Sequence, residues 1–292
     1  MNPIRLVIIT STLLISCTAF ADMKFVYHAP ESSHDSRYKY HWEILKNALD
    51  VTAKKYGPYT LVPSEKLSEN QQLAEMKKNS PKLNVMIRET NKIYESELTS
   101  VKIPIDKNLI GYRVLLIDKK DQPALAAMKT LPQLNTVKVG QGAGWGDISI
   151  LRNSGFNVVT EENYDDLFKS LSKGKFKIFP RGVVEVLEEH RKFKNKYPNL
   201  VIENHLLIYY PLPTYFWFHN SSDGRLMARR VEEGLRYIIK SGTYRKVFDK
   251  HYAKVIRELD LKNRTMIQIP NPDLPDSVPF DRKELWYNST EN

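Results

Sequence analysis

From residue 22 onward, apolar and polar positions switch repeatedly between two patterns. Short apolar runs of strand type alternate with stretches in which apolar residues recur at helical spacing. Lys24 to His28 predicts a first strand, and Tyr40 to Tyr56 a helix with Ile44, Leu45, Ala48, Leu49 and Thr52 on one face. Gly57-Pro58 ends that helix. Tyr59 to Val62 predicts a second strand. Ser68 caps a helix through Lys77, with Gln71 placed to complete a capping box. Leu83 to Ile87 is a third strand. Strands separated by helices imply a parallel sheet covered by helices.

A second set repeats the alternation. It comprises a strand Tyr112 to Ile117, a helix Ala124 to Leu131, a strand Val137 to Gly140 and a helix ending at Asn153. It continues with strands Asn157 to Thr160 and Phe176 to Phe179, and helices Tyr164 to Leu171 and Val183 to Lys194. Strands Leu200 to Glu203, Leu206 to Tyr210 and Thr214 to His219 follow, then helices Gly224 to Ile239 and Thr243 to Leu259. The tail from Met266 carries Pro270, Pro272, Pro275 and Pro279, which excludes a regular helix or a central strand. Leu285, Trp286 and Tyr287 are its expected anchors.

The first segment differs from all of this. Arg5 precedes an apolar run from Leu6 to Ser16, and Ala19-Phe20-Ala21 follows with small residues at signal-peptidase spacing. The run falls short of the ~20 residues of a spanning helix. Residues 1–21 therefore predict a signal peptide, export to the periplasm and a mature chain from Asp22. Leu14-Ile15-Ser16-Cys17 offers a competing reading, a lipobox with a lipid anchor at Cys17.

Composition narrows the function. The 292 residues are 41% hydrophobic and 27% charged, an ordinary globular balance that excludes a disordered chain or a polytopic membrane protein. Cys17 is the only cysteine, which excludes an intrachain disulfide and a cysteine-based zinc site. No histidine spacing suits a metal, and no cofactor is expected. The net charge of +10 is spread along the chain, and no RNA-binding signature accompanies it, which argues against nucleic acid. Attraction of anionic solutes is the better use of that charge.

Two motifs carry candidate chemistry. The glycine-rich Gly140 to Asp147 stretch joins a strand to a helix, where backbone N–H groups can hold an anion. It lacks the Gly-Lys-Ser/Thr of a nucleotide loop, and Trp145 replaces the third glycine of a dinucleotide loop. The face of Trp145 could cover a bound group; a turn without a ligand is the alternative. Phe179-Pro180-Arg181-Gly182 places Arg181 at a sheet's carboxyl edge, where open α/β sheets bind ligands. Arg181 could fork a carboxylate or phosphate, or pair with Glu185 one turn on.

The order of elements, the leader and the segment Tyr237 to Tyr252 resemble solute-binding proteins of family 3, which have the type II periplasmic-binding-protein fold. Asp35-Ser36-Arg37-Tyr38-Lys39-Tyr40, Ile103-Pro104-Ile105 with Gly111-Tyr112-Arg113, and Phe179 to Gly182 are similar to a divergent transporter substrate-binding branch. The resemblance implies an α/β fold of two lobes, each a mainly parallel sheet with flanking helices. It implies lobe one at 22–114 and 212–265, lobe two at 115–211, and a Pro-rich tail at 266–292. Two crossing strands, near Gly111–Leu116 and Leu206–Tyr210, would form the hinge. It further implies a monomer that captures a small ligand for a membrane permease or a sensor. Ligand contacts are expected from Tyr27, His28, Arg88, Glu89, Thr90, Gly142, Ala143, Gly144, Trp145 and Arg181. The α-amino-acid determinants of the family are absent here. Tyr94 to Glu97 offers no arginine, and Arg181 stands where an acid would hold the ligand amine, so an anionic or polar ligand is expected. The alternative is an exported, dehydratase-like enzyme of the same fold using Glu89, Glu97 or His28 as acid or base.

Overall fold

The computed structural model of the chain describes residues 22–30 and 37–288. The proposed leader, Cys17 and Asp35-Ser36 of the first motif lie outside the described residues.

The chain opens with β1 (Met23–Tyr27), α1 (Lys39–Tyr56), β2 (Tyr59–Pro63), α2 (Glu69–Lys77), β3 (Val85–Glu89), α3 (Lys92–Glu97) and β4 (Thr99–Val101). β5 (Tyr112–Asp118), α4 (Gln122–Ala126), α5 (Leu131–Leu134), β6 (Lys138–Gly142), α6 (Asp147–Asn153), β7 (Asn157–Glu161) and α7 (Tyr164–Ser172) follow. The remainder is β8 (Ile178–Gly182), α8 (Val183–Phe193), β9 (Leu200–Ile202), β10 (Leu206–Tyr209), β11 (Thr214–Phe218), α9 (Ser222–Lys240), α10 (Thr243–Leu259) and β12 (Thr265–Gln268).

These strands form two sheets, ordered β2-β1-β3-β11-β4 and β12-β10-β5-β8-β6-β7, with β9 also on β5. Strands joined by a helical crossover run parallel, as β1 does with β2 and β6 with β7. β11, which arrives from the other sheet, runs antiparallel to β3. Both sheets are therefore mixed.

The first sheet is covered by α1, α9 and α10. Ile44, Leu45, Ala48 and Leu49 of α1 pack with Val231, Leu235 and Ile238 of α9 in one continuous core. Each such leucine contributes about 1.5–3 kcal/mol through burial. Arg230 of α9, completely buried, donates to Leu49 and to Gly57 just beyond the helix, the latter at 2.9 Å. The predicted capping box forms, with Ser68 N bonded to Gln71 Oε1 at 2.8 Å.

Three expectations change. The helix expected at 124–131 splits into α4 and α5, because Thr130 caps a new turn with Pro132 in it. The strand expected at 176–179 is Ile178–Gly182, because the crossing strand β5 pairs with it as far as Arg113 opposite Gly182. Arg181 thus lies inside a strand, opposite Val114, and not in the turn after it. The hinge also gains a third passage. The chain crosses between sheets before β5, between β10 and β11, and again between α10 and β12. β12 then adds to the edge of the second sheet, parallel to β10, just before the prolines begin at Pro270.

Candidate functional site

Between the two sheets lies a cavity of about 80 Å³ lined from both sides. Arg37, Tyr38 and His41 reach it from the start of α1, Glu69 from α2, and Arg88 and Glu89 from the end of β3. Trp145, Gly146 and Asp147 reach it from the β6–α6 turn, and Arg181, Val184 and Glu185 from β8 and α8. Asp106, Arg113, Leu212 and Thr214 close it at the crossings.

The lining is densely charged and largely self-paired. Arg88 pairs with Glu69 inside the first lobe. Arg113 meets Asp147 at 3.2 Å and Glu185 at 3.4 Å. Arg181 meets Glu185 at 3.0 Å and Glu189 at 2.6 Å. Burial alone would lower the Arg181 pKa, but the Glu185 and Glu189 carboxylates outweigh it and hold the guanidinium charged. Glu185 is likewise kept ionised: burial opposes this, and Arg181, Arg113 and Arg37 overcome it.

Asp106 is held differently. Its carboxylate accepts from the backbone N–H groups of Asn108 and Ile110, each at 3.1 Å. Burial still raises its pKa to about 6. His41 is pushed the other way, to about 4, because burial disfavours the imidazolium more than the Glu185 charge supports it.

Glu89 stands apart. It forms no ion pair among the described residues, and its buried Oε1 has no hydrogen-bond partner there. Burial raises its pKa, against the opposing pull of the Arg88 charge. A Cβ on Gly146 would sit 2.1 Å from Glu89 Oε1, so the two lobes meet here only because Gly146 has no side chain. Arg88 Nε, Arg113 Nε and Thr90 Oγ1 are also buried without a protein partner among the described residues. Buried polar groups are ordinarily satisfied.

The residues expected as ligand contacts divide into three groups. Arg88, Glu89, Trp145 and Arg181 line the cavity. Thr90 and Gly144 line a mouth chamber of about 600 Å³ that shares Glu89, Trp145 and Gly146 with it. Gly142 and Ala143 face a third, smaller recess with Glu162 and Tyr164. Tyr27 and His28 lie outside all three. Tyr27 packs on Trp42 at 4.6 Å, and His28 sits edge-on to Tyr38 at 4.4 Å. The Ala143 amide of the glycine-rich turn is bonded to the Glu161 carbonyl at 2.9 Å. The Trp145 ring is covered by the Arg181 guanidinium at 4.5 Å and by Phe179 at 6.2 Å, and it folds back over Gly142. Its ring face therefore serves lobe packing.

Arg37, His41, Glu69, Asp106, Arg113, Asp147 and Glu185 were not singled out as ligand contacts. Arg37, Arg113 and Asp147 all stand inside motifs that the sequence does display, and Glu185 was read only as a partner for Arg181. Of the acids considered for catalysis, Glu97 pairs with Lys77 at 2.5 Å away from the cavity, and only Glu89 lines it.

No protein-family model matches the chain, and no curated protein matches it. Solved structures do. An ancestral arginine-binding protein bound to arginine superposes with a TM-score of 0.58 at 16% identity, covering 79% of this chain and 98% of that one. An amino acid ABC transporter substrate-binding protein from Streptococcus pneumoniae bound to L-arginine gives 0.57 at 15%, covering 79% and 94%. A histidine kinase sensor domain with similarity to periplasmic binding proteins gives 0.56 at 17%, covering 79% and 95%. Among the described residues no helix is long and apolar enough to cross a membrane. With two mixed α/β lobes around one charged cleft, the chain has the fold of the type II periplasmic binding proteins.

Proposed function

We propose that the chain is an exported receptor that captures a small polar solute between its lobes and presents it to a membrane transporter or a sensor. The reading is supported above all by the orphaned polar atoms at the cleft. Arg88 Nε and Arg113 Nε are donors and Glu89 Oε1 is an acceptor, all buried, all on residues lining one cavity shared by both lobes. A buried donor or acceptor left unpaired costs about 1–3 kcal/mol, so a ligand that supplies the partners gains that much at each contact.

The ligand's anionic group belongs at the Arg88 and Arg113 edges, because their Nε groups have no partner among the described residues, whereas Arg181 Nε already donates to Glu189 at 2.8 Å. Its hydrogen-bond donor belongs at Glu89. Two of the structural neighbours hold arginine, a solute with a carboxylate and several N–H groups. An amino-acid-sized polar solute is the class that agrees with both observations. Capture is reversible binding without bond making, and delivery follows from lobe opening.

A thermal-shift screen of amino acids, other carboxylates, phosphorylated compounds and polyamines tests the reading. Carboxylate-bearing solutes should raise the melting temperature of the mature chain, and Glu89→Gln should abolish the rise. A response to polyamines alone would overturn the assignment of the anionic group, and no response to any class would count against the receptor reading.

A further inference from the structure

We propose that residues 269–288 form an intramolecular strap that holds the two lobes together, with Asp273 as the positioning residue that latches them. The strap leaves the second lobe at β12, where Ile269 N donates to the Tyr209 carbonyl at 2.9 Å. Asn271 Nδ2 then donates to the Pro211 carbonyl at 2.9 Å, in the passage between β10 and β11. Asp273 next bonds both lobes at once. Its backbone carbonyl accepts from Lys92 N, at the start of α3 in the first lobe, at 3.1 Å. Its carboxylate accepts from Ser149 Oγ, on α6 in the second lobe. Four residues on, Ser277 Oγ donates to the Glu95 carboxylate on α3 at 2.7 Å.

The far end is fixed as well. Leu285 and Tyr287 are buried in the main core. Tyr287 N donates to the Lys107 carbonyl at 2.8 Å, and the Tyr112 hydroxyl donates to the Tyr287 carbonyl at 3.1 Å. Anchored at both ends, the strap has little slack. Pro270, Pro272 and Pro275 fix φ, and turns at 272–273 and 276–277 set the path between them, with Asp273 bonded to α3 on one side and to α6 on the other. Moving α3 away from α6 must therefore break one of the two bonds at Asp273.

The position of the strap links it to capture. Asn271 and Asp273 form a wall of the mouth chamber, beside Thr90, whose hydroxyl has no partner among the described residues, and next to the Glu89–Gly146 contact. A two-strand hinge leaves the closed arrangement to be stabilised by ligand alone. The strap adds a ligand-independent contribution to closure, which lowers the rate at which a bound solute escapes.

Electron–electron resonance between spin labels on Asn70→Cys and Glu162→Cys tests this directly. Both sites are exposed, face one recess from opposite lobes, and introduce the only thiols of a chain beginning at Asp22. The ligand-free, otherwise unaltered chain should give one short distance. Asp273→Ala should shift the distribution to longer values and broaden it, and Ser149→Ala should shift it in the same direction. Exchange of the Lys92 amide, whose acceptor is the Asp273 backbone carbonyl that alanine keeps, should accelerate about 10-fold in Asp273→Ala, because that carbonyl is no longer held in place by the carboxylate bond to Ser149. Should Asp273→Ala fail to fold, the Ser149→Ala distance decides the matter. Unchanged distances in the folded variants would overturn the strap.

Discussion

Arg181 grips Glu189 through two parallel hydrogen bonds, Nε to Oε2 at 2.8 Å and Nη2 to Oε1 at 2.6 Å. Both side chains are almost completely buried, and Glu185 closes on the same guanidinium from one turn away. The arginine thus belongs to the wall of the cleft. Removing it leaves the buried Glu189 with only the Tyr164 hydroxyl among the described residues, at 2.7 Å, and Glu185 with Arg113 and the Gly182 amide.

Arg181→Ala should accordingly destabilise the chain by about 3–5 kcal/mol, the cost of breaking a buried pair from one side. Chemical denaturation of the chain from Asp22 onward measures it. A loss below ~1 kcal/mol would show that the guanidinium is free to serve the ligand instead.

Gly146→Ala should leave the fold intact and keep the lobes apart. Gly146 has φ of −66°, which alanine adopts without strain. Its new methyl group would still meet Glu89 Oε1 across the cleft. Overpacking of this kind costs about 1–3 kcal/mol, here charged against closure, so capture weakens by roughly 10-fold or more. Small-angle scattering should report a larger radius for the variant than for the parent chain. Equal radii would contradict the proposed contact.

His41 makes stability depend on pH. Its pKa is lowered by burial from 6.5 to about 4, so between those values the unfolded chain binds the extra proton. Stability from this group is complete above about pH 6.5 and is lost as pH falls toward 4, by about 3 kcal/mol in all. Asp106 opposes it, because a carboxyl raised by burial to about 6 favours the folded state at low pH. The comparison of parent with His41→Phe cancels the Asp106 contribution. The parent should lose stability relative to the variant as pH is lowered from 6.5 to 4, followed by denaturant titration. A difference independent of pH would refute the buried neutral imidazole.

The alternation of strands and helices was legible because each element carries its own period and its own stops. The boundary of β8 was not, since it is set by pairing with β5, some 65 residues earlier. That one shift moved Arg181 from a turn into a strand and aimed it at Glu189. Helix periodicity puts Glu185 and Glu189 one turn apart on one face of α8, but only packing decides that this face meets Arg181. Asp147 and Arg113 stood in visible motifs, yet their partnership joins a glycine-rich turn to a crossing strand and leaves no local signal. β12 was missed because four residues between the end of α10 and Pro270 show too short a pattern to identify. Tyr27 and His28 were expected at the cleft from their place at the end of the first strand. Trp42 and Tyr38 fill the space in front of them.

The central claim is that a small polar solute fills the cleft between the lobes and is held at Glu89. Native mass spectrometry of the protein purified from its own cells tests it most directly, run in parallel on the parent chain and on Glu89→Gln. Glu89 forms no ion pair among the described residues, so the substitution should leave the fold in place. The account predicts a mass increment of one small solute on the parent chain, released on gentle activation and missing from Glu89→Gln. A parent chain that carries no solute under conditions that keep other receptors loaded, or an increment that survives in Glu89→Gln, would contradict it.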